Sequence, residues 1–248
     1  MIGSFATRRQ SILISALMVD VDGVLVCGRP SDGRPWASTI EDDLGFSAAD
    51  LQREFFIPHW NEIVVGRCGL ADRLKPTLAK IAPHLSYDDF VAYWFENDAR
   101  LNTELLEELR QERDAGKRVY LATNQEHVRA AHLIEVLGLG GHCDGIYYSA
   151  ALGIRKPDRA FFEQAASLSG LPAEQLLLID DTPAISRPHE RLAGSLSSGW
   201  KEAPCPLRWQ NSDPICRKNS KACYVTGSSR LMCRTFRIIA TEIQDELL

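Results

Sequence analysis

Apolar residues fall in short blocks along this chain, and most blocks stop at a polar residue of a restricted kind. Leu17-Met18-Val19 runs into Asp20-Val21-Asp22-Gly23, followed by Val24-Leu25-Val26. Val119-Tyr120-Leu121-Ala122 ends in Thr123-Asn124, and Leu176-Leu177-Leu178-Ile179 ends in Asp180-Asp181. Ile146-Tyr147-Tyr148 is a shorter run of the same type. Continuous apolar runs of this length predict strands buried on both faces, as in a parallel sheet. Between them the period changes to that of a helix. Leu101, Leu105 and Leu109 form a stripe stopped by Gly116, and Val128, Ala131, Ile134 and Leu137 form one stopped by Gly138. Phe161, Phe162 and Ala165 form a third, with Pro157 expected in its first turn. Strands alternating with helices predict an α/β fold with a parallel sheet.

Residues 35–98 break that alternation. A turn-rich linker, Gly28 to Pro35, leads into a stretch whose pattern is helical throughout. Ser47 with Asp50 and Ser86 with Asp89 read as helix starts. Leu51 and Phe55 follow the first; Phe90, Tyr93 and Trp94 follow the second. Pro58, Pro76 and Pro83 are expected to divide the stretch into short helices. The organisation expected is a discontinuous core, residues 1–34 and 99–184, with a helical insertion at 35–98.

The polar residues at the strand ends carry the candidate chemistry, because open α/β sheets bind ligands at the carboxyl ends of their strands. Asp20 and Asp22 are one residue apart, so their charges repel and call for a cation; oxygen ligands suit Mg²⁺. Aspartate also serves as a nucleophile in phosphoryl transfer. An Asp-x-Asp-Gly run alone is weak, since calcium loops and turns use it too. Thr123, Lys156 ahead of Pro157-Asp158, and Asp180-Asp181 extend it to an ordered set of acid, hydroxyl, lysine and acid pair.

With that set in place, residues 16–184 resemble the haloacid dehalogenase-like (HAD) hydrolase superfamily, in the subfamily with a small helical cap inserted after the first core strand. Asp20-Val21-Asp22-Gly23 matches the first motif, Thr123 the second, Lys156 the third and Asp180-Asp181 the fourth. The resemblance implies a Rossmann-like parallel core under an α-helical cap. It implies that Asp20 is the nucleophile and forms a phosphoaspartate. Asp22 would be the general acid–base, its backbone carbonyl also meeting Mg²⁺. Asp181 would be a side-chain metal ligand, with Asp180 a ligand or a partner behind it. Thr123, the backbone N–H at Asn124, and Lys156 would bind phosphate. Family members that displace halide lack the second acid, so Asp22 favours phosphate monoesters. The activity expected is Mg²⁺-dependent hydrolysis of a small phosphorylated metabolite. The alternatives are a phosphomutase or phosphonate hydrolase on the same core, and an inactive or unstable chain. A phosphonate hydrolase would use a cap lysine, and the insertion has Lys75 and Lys80. Arg67 and Gly69 are expected to face the acids when the cap closes.

Composition narrows the partners. The chain is 45% hydrophobic and 25% charged, ordinary for a globular protein. A net charge of −5 argues against nucleic acid and anionic membranes as partners. No apolar stretch reaches the roughly 20 residues that span a bilayer. Arg8-Arg9 before Ile12-Leu13-Ile14 superficially resembles an export signal, yet cleavage there would remove the Asp20 strand, so a cytoplasmic protein is expected. The seven Cys contain no Cys-x-x-Cys pair, and the six His have no metal-ligand spacing. Cys27, Cys68 and Cys143 are expected to be buried thiols, and the histidines structural or solvated.

The pattern changes after Ala184. Residues 185–248 hold ten Lys and Arg against six Asp and Glu, in a chain that is acidic overall, and four of the seven Cys. The family would continue with a helix of the type Asn-Leu-Glu-Ala-Ala-Arg-Ala-Ala-Gly. With a suitable choice of codons, one adenine added before the codon of Ile185 converts the ten residues from Ile185 to Gly194 into Asn-Leu-Glu-Ala-Ala-Arg-Ala-Ala-Gly-Gly. Residues 185–248 are therefore expected to be an atypical tail read in a shifted frame.

Overall fold

The computed structural model of the chain describes residues 13–181. The expectations for residues 185–248, with Cys205, Cys216, Cys223 and Cys233, lie outside the described residues, as does the start of the core at 1–12.

Four strands form one parallel sheet: β1 (Ala16–Val19), β2 (Arg118–Thr123), β3 (Gly145–Tyr148) and β4 (Leu176–Ile179). Their order is β3-β2-β1-β4. The central strand β1 pairs on both sides, with Val19 opposite Leu121 and Ile179. The chain steps outward from β1 to β3, then returns to place β4 on the other side. The order reverses between β1 and β4, where such sheets open a crevice.

The insertion carries α1 (Ile40–Leu44), α2 (Ala48–Leu51), α3 (Ile57–Ile63), α4 (Leu70–Ile81) and α5 (Tyr87–Asn97). The core helices are α6 (Thr103–Asp114), α7 (His127–Glu135), α8 (Ser149–Leu152) and α9 (Arg159–Ser169). Strand alternation splits the core in two. Leu17 and Val19 pack with Leu105, Leu106, Leu109 and Leu133 on one face, while Ala16 and Met18 meet Phe161, Ala165 and Ala166 on the other. Burying a large apolar side chain of this kind stabilises by about 1.5–3 kcal/mol. A separate apolar cluster, including Ile40, Phe55, Leu74, Phe90 and Trp94, holds the insertion together.

The chain enters and leaves the insertion along two hydrogen-bonded extended segments. The Cys27 N–H donates to the Arg100 carbonyl (2.8 Å) and the Arg100 N–H to the Gly28 carbonyl (3.0 Å), beside an antiparallel bridge between Val26 and Leu101. Gly28 turns the chain here with φ +75°, where a Cβ would come 2.5 Å from the Arg34 carbonyl oxygen.

Several local expectations need correction. Ala48 to Ile63 is one uninterrupted helical run, because a π-helical turn at Gln52–Phe56 leads into α3 with Pro58 in its first turn. Pro76 lies inside α4, which continues past it: its face is exposed, and the buried residues Leu70, Leu74 and Leu78 hold the helix from the other side. The α7 stripe is only half right: Ile134 and Leu137 are partly buried against the core, but its first half is out of phase. Val128 and Ala131 are exposed, whereas Arg129, Ala130 and Leu133 are buried. Pro157 precedes α9, which is capped by Asp158 accepting from the Ala160 N–H at 2.9 Å. Of the three described cysteines, Cys143 is buried and Cys27 and Cys68 are half-buried. Among the described residues, no helix is long and apolar enough to cross a membrane.

Candidate active site

Each strand of the central trio delivers a polar group at its carboxyl end. Asp20 follows β1, Thr123 ends β2, and Asp180-Asp181 follow β4. The Asp20 N–H still bonds to the Ile179 carbonyl (2.9 Å), so the acids of β1 and β4 leave the sheet at the same level. Beyond Asp20 the chain curls. The Leu25 and Val26 N–H groups both donate to the Val21 carbonyl (2.8 Å each), and the Gly23 N–H donates to Val26 (2.9 Å). Gly23 has φ +78°, and a Cβ there would lie 2.3 Å from Oδ2 of Asp181. Only a glycine lets the β4 acids approach the β1 loop this closely.

Lys156 joins the two strands. Its Nζ lies 2.9 Å from Oδ2 of Asp20 and 2.6 Å from Oδ2 of Asp180, and all three side chains are buried. Asn124 orients it: the Asn124 Oδ1 accepts from the Lys156 N–H (2.8 Å), and its Nδ2 donates to the Lys156 carbonyl (3.1 Å). Thr123 is buried at the same sheet edge. The Val21 N–H donates to Oδ1 of Asp20 at 2.8 Å, which fixes that carboxylate.

Asp22 has different company. Its Oδ2 accepts from Nε2 of Gln125 at 2.6 Å. Arg129, 2% exposed, stands behind; it donates to Asp98 Oδ2 at 3.1 Å and to the Asp98 carbonyl, at the far end of the insertion. Glu126, buried beside them, caps α7 by accepting from the Val128 N–H (2.8 Å) and the Arg129 N–H. The structure thus unites Asp20, Asp22, Thr123, Asn124, Lys156, Asp180 and Asp181, and adds Gln125 and Arg129. Sequence reasoning passed over these last two, since a glutamine in the loop after β2 and an arginine on α7 carry no one-dimensional signal of burial. Arg67 and Gly69 are exposed, and Gly69 caps α4 with its N–H on Asp72 (2.9 Å).

The acids outnumber the cation. Burial pushes Asp20 up to about 7, against the pull of Lys156, with Asp180 and Asp22 adding to the rise. Burial likewise raises Asp22, opposed by Arg129 and Gln125, and raises Asp181 with help from Asp180. Burial would lower Lys156, but Asp20 and Asp180 outweigh it and hold the ammonium above its usual value. Asp20, Asp180 and Asp181 offer carboxylate oxygens all within 4.8 Å of one another. A hard divalent cation fits this donor set, and its charge would offset the repulsion.

The haloacid dehalogenase-like hydrolase family matches residues 14–185. Among solved structures, a HAD family enzyme from Bacteroides thetaiotaomicron in complex with magnesium and inorganic phosphate is similar at 17% identity, with a TM-score of 0.58 over 70% of this chain and 87% of that one. A predicted HAD-like family hydrolase from Porphyromonas gingivalis is similar at 20% identity and TM-score 0.55, over 70% of this chain and 84% of that one. No curated protein matches the sequence. With its parallel core and its acid and lysine constellation in the family's order, the chain belongs to the haloacid dehalogenase-like hydrolase family.

Proposed function

We propose that the chain hydrolyses a small phosphorylated metabolite, a phosphomonoester, in the cytoplasm, through a phosphoaspartate on Asp20 and with Mg²⁺. The observation that carries this reading is the division of labour between two neighbouring acids. Asp20 faces Lys156, whereas Asp22 is held by Gln125. This difference supports attack by the one and proton transfer by the other. The B. thetaiotaomicron enzyme, bound to magnesium and inorganic phosphate, supports the cofactor and ligand class.

A carboxylate oxygen of Asp20 attacks phosphorus as the bond to the ester oxygen breaks. Asp22 gives its proton to that leaving oxygen; burial raises its carboxyl, which favours the protonated form. A water then attacks phosphorus, passing a proton to Asp22, and the Asp20–phosphorus bond breaks to release inorganic phosphate. Lys156 offsets the charge that builds on the phosphoryl oxygens, and Thr123 with the Asn124 N–H supplies hydrogen bonds to them. Asp20, Asp180, Asp181 and the Asp22 carbonyl would hold Mg²⁺, which supplies further positive charge. The phosphonate alternative finds no support in the cap lysines. Lys75 lies 5.3 Å from the Tyr87 ring centroid, and Lys80 pairs with Glu54, both at the insertion's surface.

Turnover of p-nitrophenyl phosphate is expected to vanish in Asp20→Asn and in excess chelator. Full activity in either case excludes the mechanism. Asp22→Asn is expected to keep the first transfer from this activated ester while losing an alkyl phosphate. Equal loss in the first step on both substrates removes Asp22 from the acid–base role.

A further inference from the structure

Gln125 sits where the acid loop, the core and the insertion meet. It is 3% exposed, and its side-chain amide donates to Oδ2 of Asp22 at 2.6 Å. Its own carbonyl accepts from the Ala150 N–H at 3.1 Å and lies 3.2 Å from the Ser149 hydroxyl. Ser149 is fully buried, and its oxygen is 2.5 Å from the Val64 carbonyl of the insertion. One hydroxyl has one proton, so the shorter contact takes it, and Ser149 ties the insertion to the segment that carries Gln125. The contact is close beyond that bond. A Cβ on Gly66 would meet the Ala150 carbonyl oxygen at 2.5 Å and His127 Nε2 at 3.1 Å. Asn61 adds a second tie, accepting from Arg155 at 2.8 Å.

Resting on the phosphatase reading above, we propose that Gln125 is the positioning residue for Asp22, fixing one carboxylate oxygen so that the other faces the leaving group, and that the docked insertion braces it through Val64 and Ser149. An uncharged amide suits this task. It donates to the carboxylate without neutralising it, so Asp22 stays able to gain and lose a proton. A carboxylate at position 125 would repel Asp22, and an apolar side chain would leave it free to rotate.

The test separates proton transfer from phosphoryl transfer. Gln125→Leu is assayed with p-nitrophenyl phosphate, whose leaving group needs no acid, and with an alkyl phosphate, whose leaving group does. Turnover of the alkyl ester is expected to fall about ten- to a hundredfold, the loss that follows from misplacing a reacting group. The change should lie in kcat more than in KM, and the first-turnover burst of nitrophenolate should keep its rate. The double variant Asp22→Asn/Gln125→Leu is expected to be no slower than Asp22→Asn, since both losses act through one carboxylate. A slowed burst, an unchanged alkyl turnover, or additive losses in the double variant overturns the proposal. Gln125→Met, of similar length and without a donor, gives the same readout should Gln125→Leu fail to show a cooperative melt. Wild-type-like turnover in Asp20→Asn would instead defeat the phosphatase reading itself.

Discussion

Arg129 heads the fully buried side chains by volume, and it is charged. Its cation is met by Asp98 at 3.1 Å and by the Phe95 carbonyl at 3.5 Å, and its guanidinium carbon lies 4.9 Å from the Phe95 ring centroid. A buried ion pair adds little over a well-packed apolar pair, yet removing one partner strands the other. Arg129→Leu is therefore expected to cost about 3–5 kcal/mol in a urea melt. A cost near zero would mean that Asp98 finds water or another donor. Asp144 allows a pH prediction. Burial pushes it up, but the Val119 N–H (2.7 Å) and Arg113 (2.9 Å) outweigh that and hold its carboxyl below 3.8. A depressed carboxyl contributes stability that is complete above the unfolded value and lost as pH falls through the folded one. Because the side chain is 31% exposed, the contribution is under about 1 kcal/mol. Asp144→Asn is expected to shrink the stability difference between about pH 6 and about pH 2; an unchanged difference counts against this account.

Local chemistry starts the cap helices as the sequence suggests. The Ser47 hydroxyl accepts from the Asp50 N–H (3.1 Å) and the Ser86 hydroxyl from the Asp89 N–H (3.0 Å). What proline does to these helices is decided elsewhere. A proline in a helix interior costs about 3 kcal/mol, yet burying leucines along the opposite face outweighs a penalty of that size. Within α4 the Thr77 hydroxyl donates to the Arg73 carbonyl (2.8 Å), satisfying backbone next to the proline. Pro76→Ala restores an N–H at an exposed helical position. It is expected to raise the melting temperature, by less than the full propensity difference because the unfolded chain also gains freedom. A lower melting temperature would show that the proline ring itself contributes to the packing of α4.

The described residues form three apolar clusters, one on each face of the sheet and one within the insertion; the insertion is joined to the core by its two connecting segments and by the Val64–Ser149 and Asn61–Arg155 contacts. The family match ends at residue 185, next to the point where composition changes. Among the described residues, β4 is an edge of the sheet. Resequencing the gene is expected to show one missing base ahead of the codon for Ile185, and the restored chain is expected to melt at a higher temperature. An unambiguous open frame, with no family-like sequence in the neighbouring frame, would sink this idea.

The sequence by itself determined the strands, their carboxyl ends and most of the acids and cations there. An apolar run must be buried, and the polar residue that ends it must emerge at the sheet's edge, so Asp20, Thr123 and Asp180 could be placed without coordinates. Tertiary structure alone decided which face of α7 is buried. Val128 and Ala131 suit a core as well as Ala130 and Leu133 do, but only the second phase brings Arg129 to Asp98 and the Phe95 carbonyl. Tertiary structure also decided that Gln125 meets Asp22 across 103 positions of sequence. A hydrogen bond over that separation depends on strand order and loop curl, which no local pattern encodes.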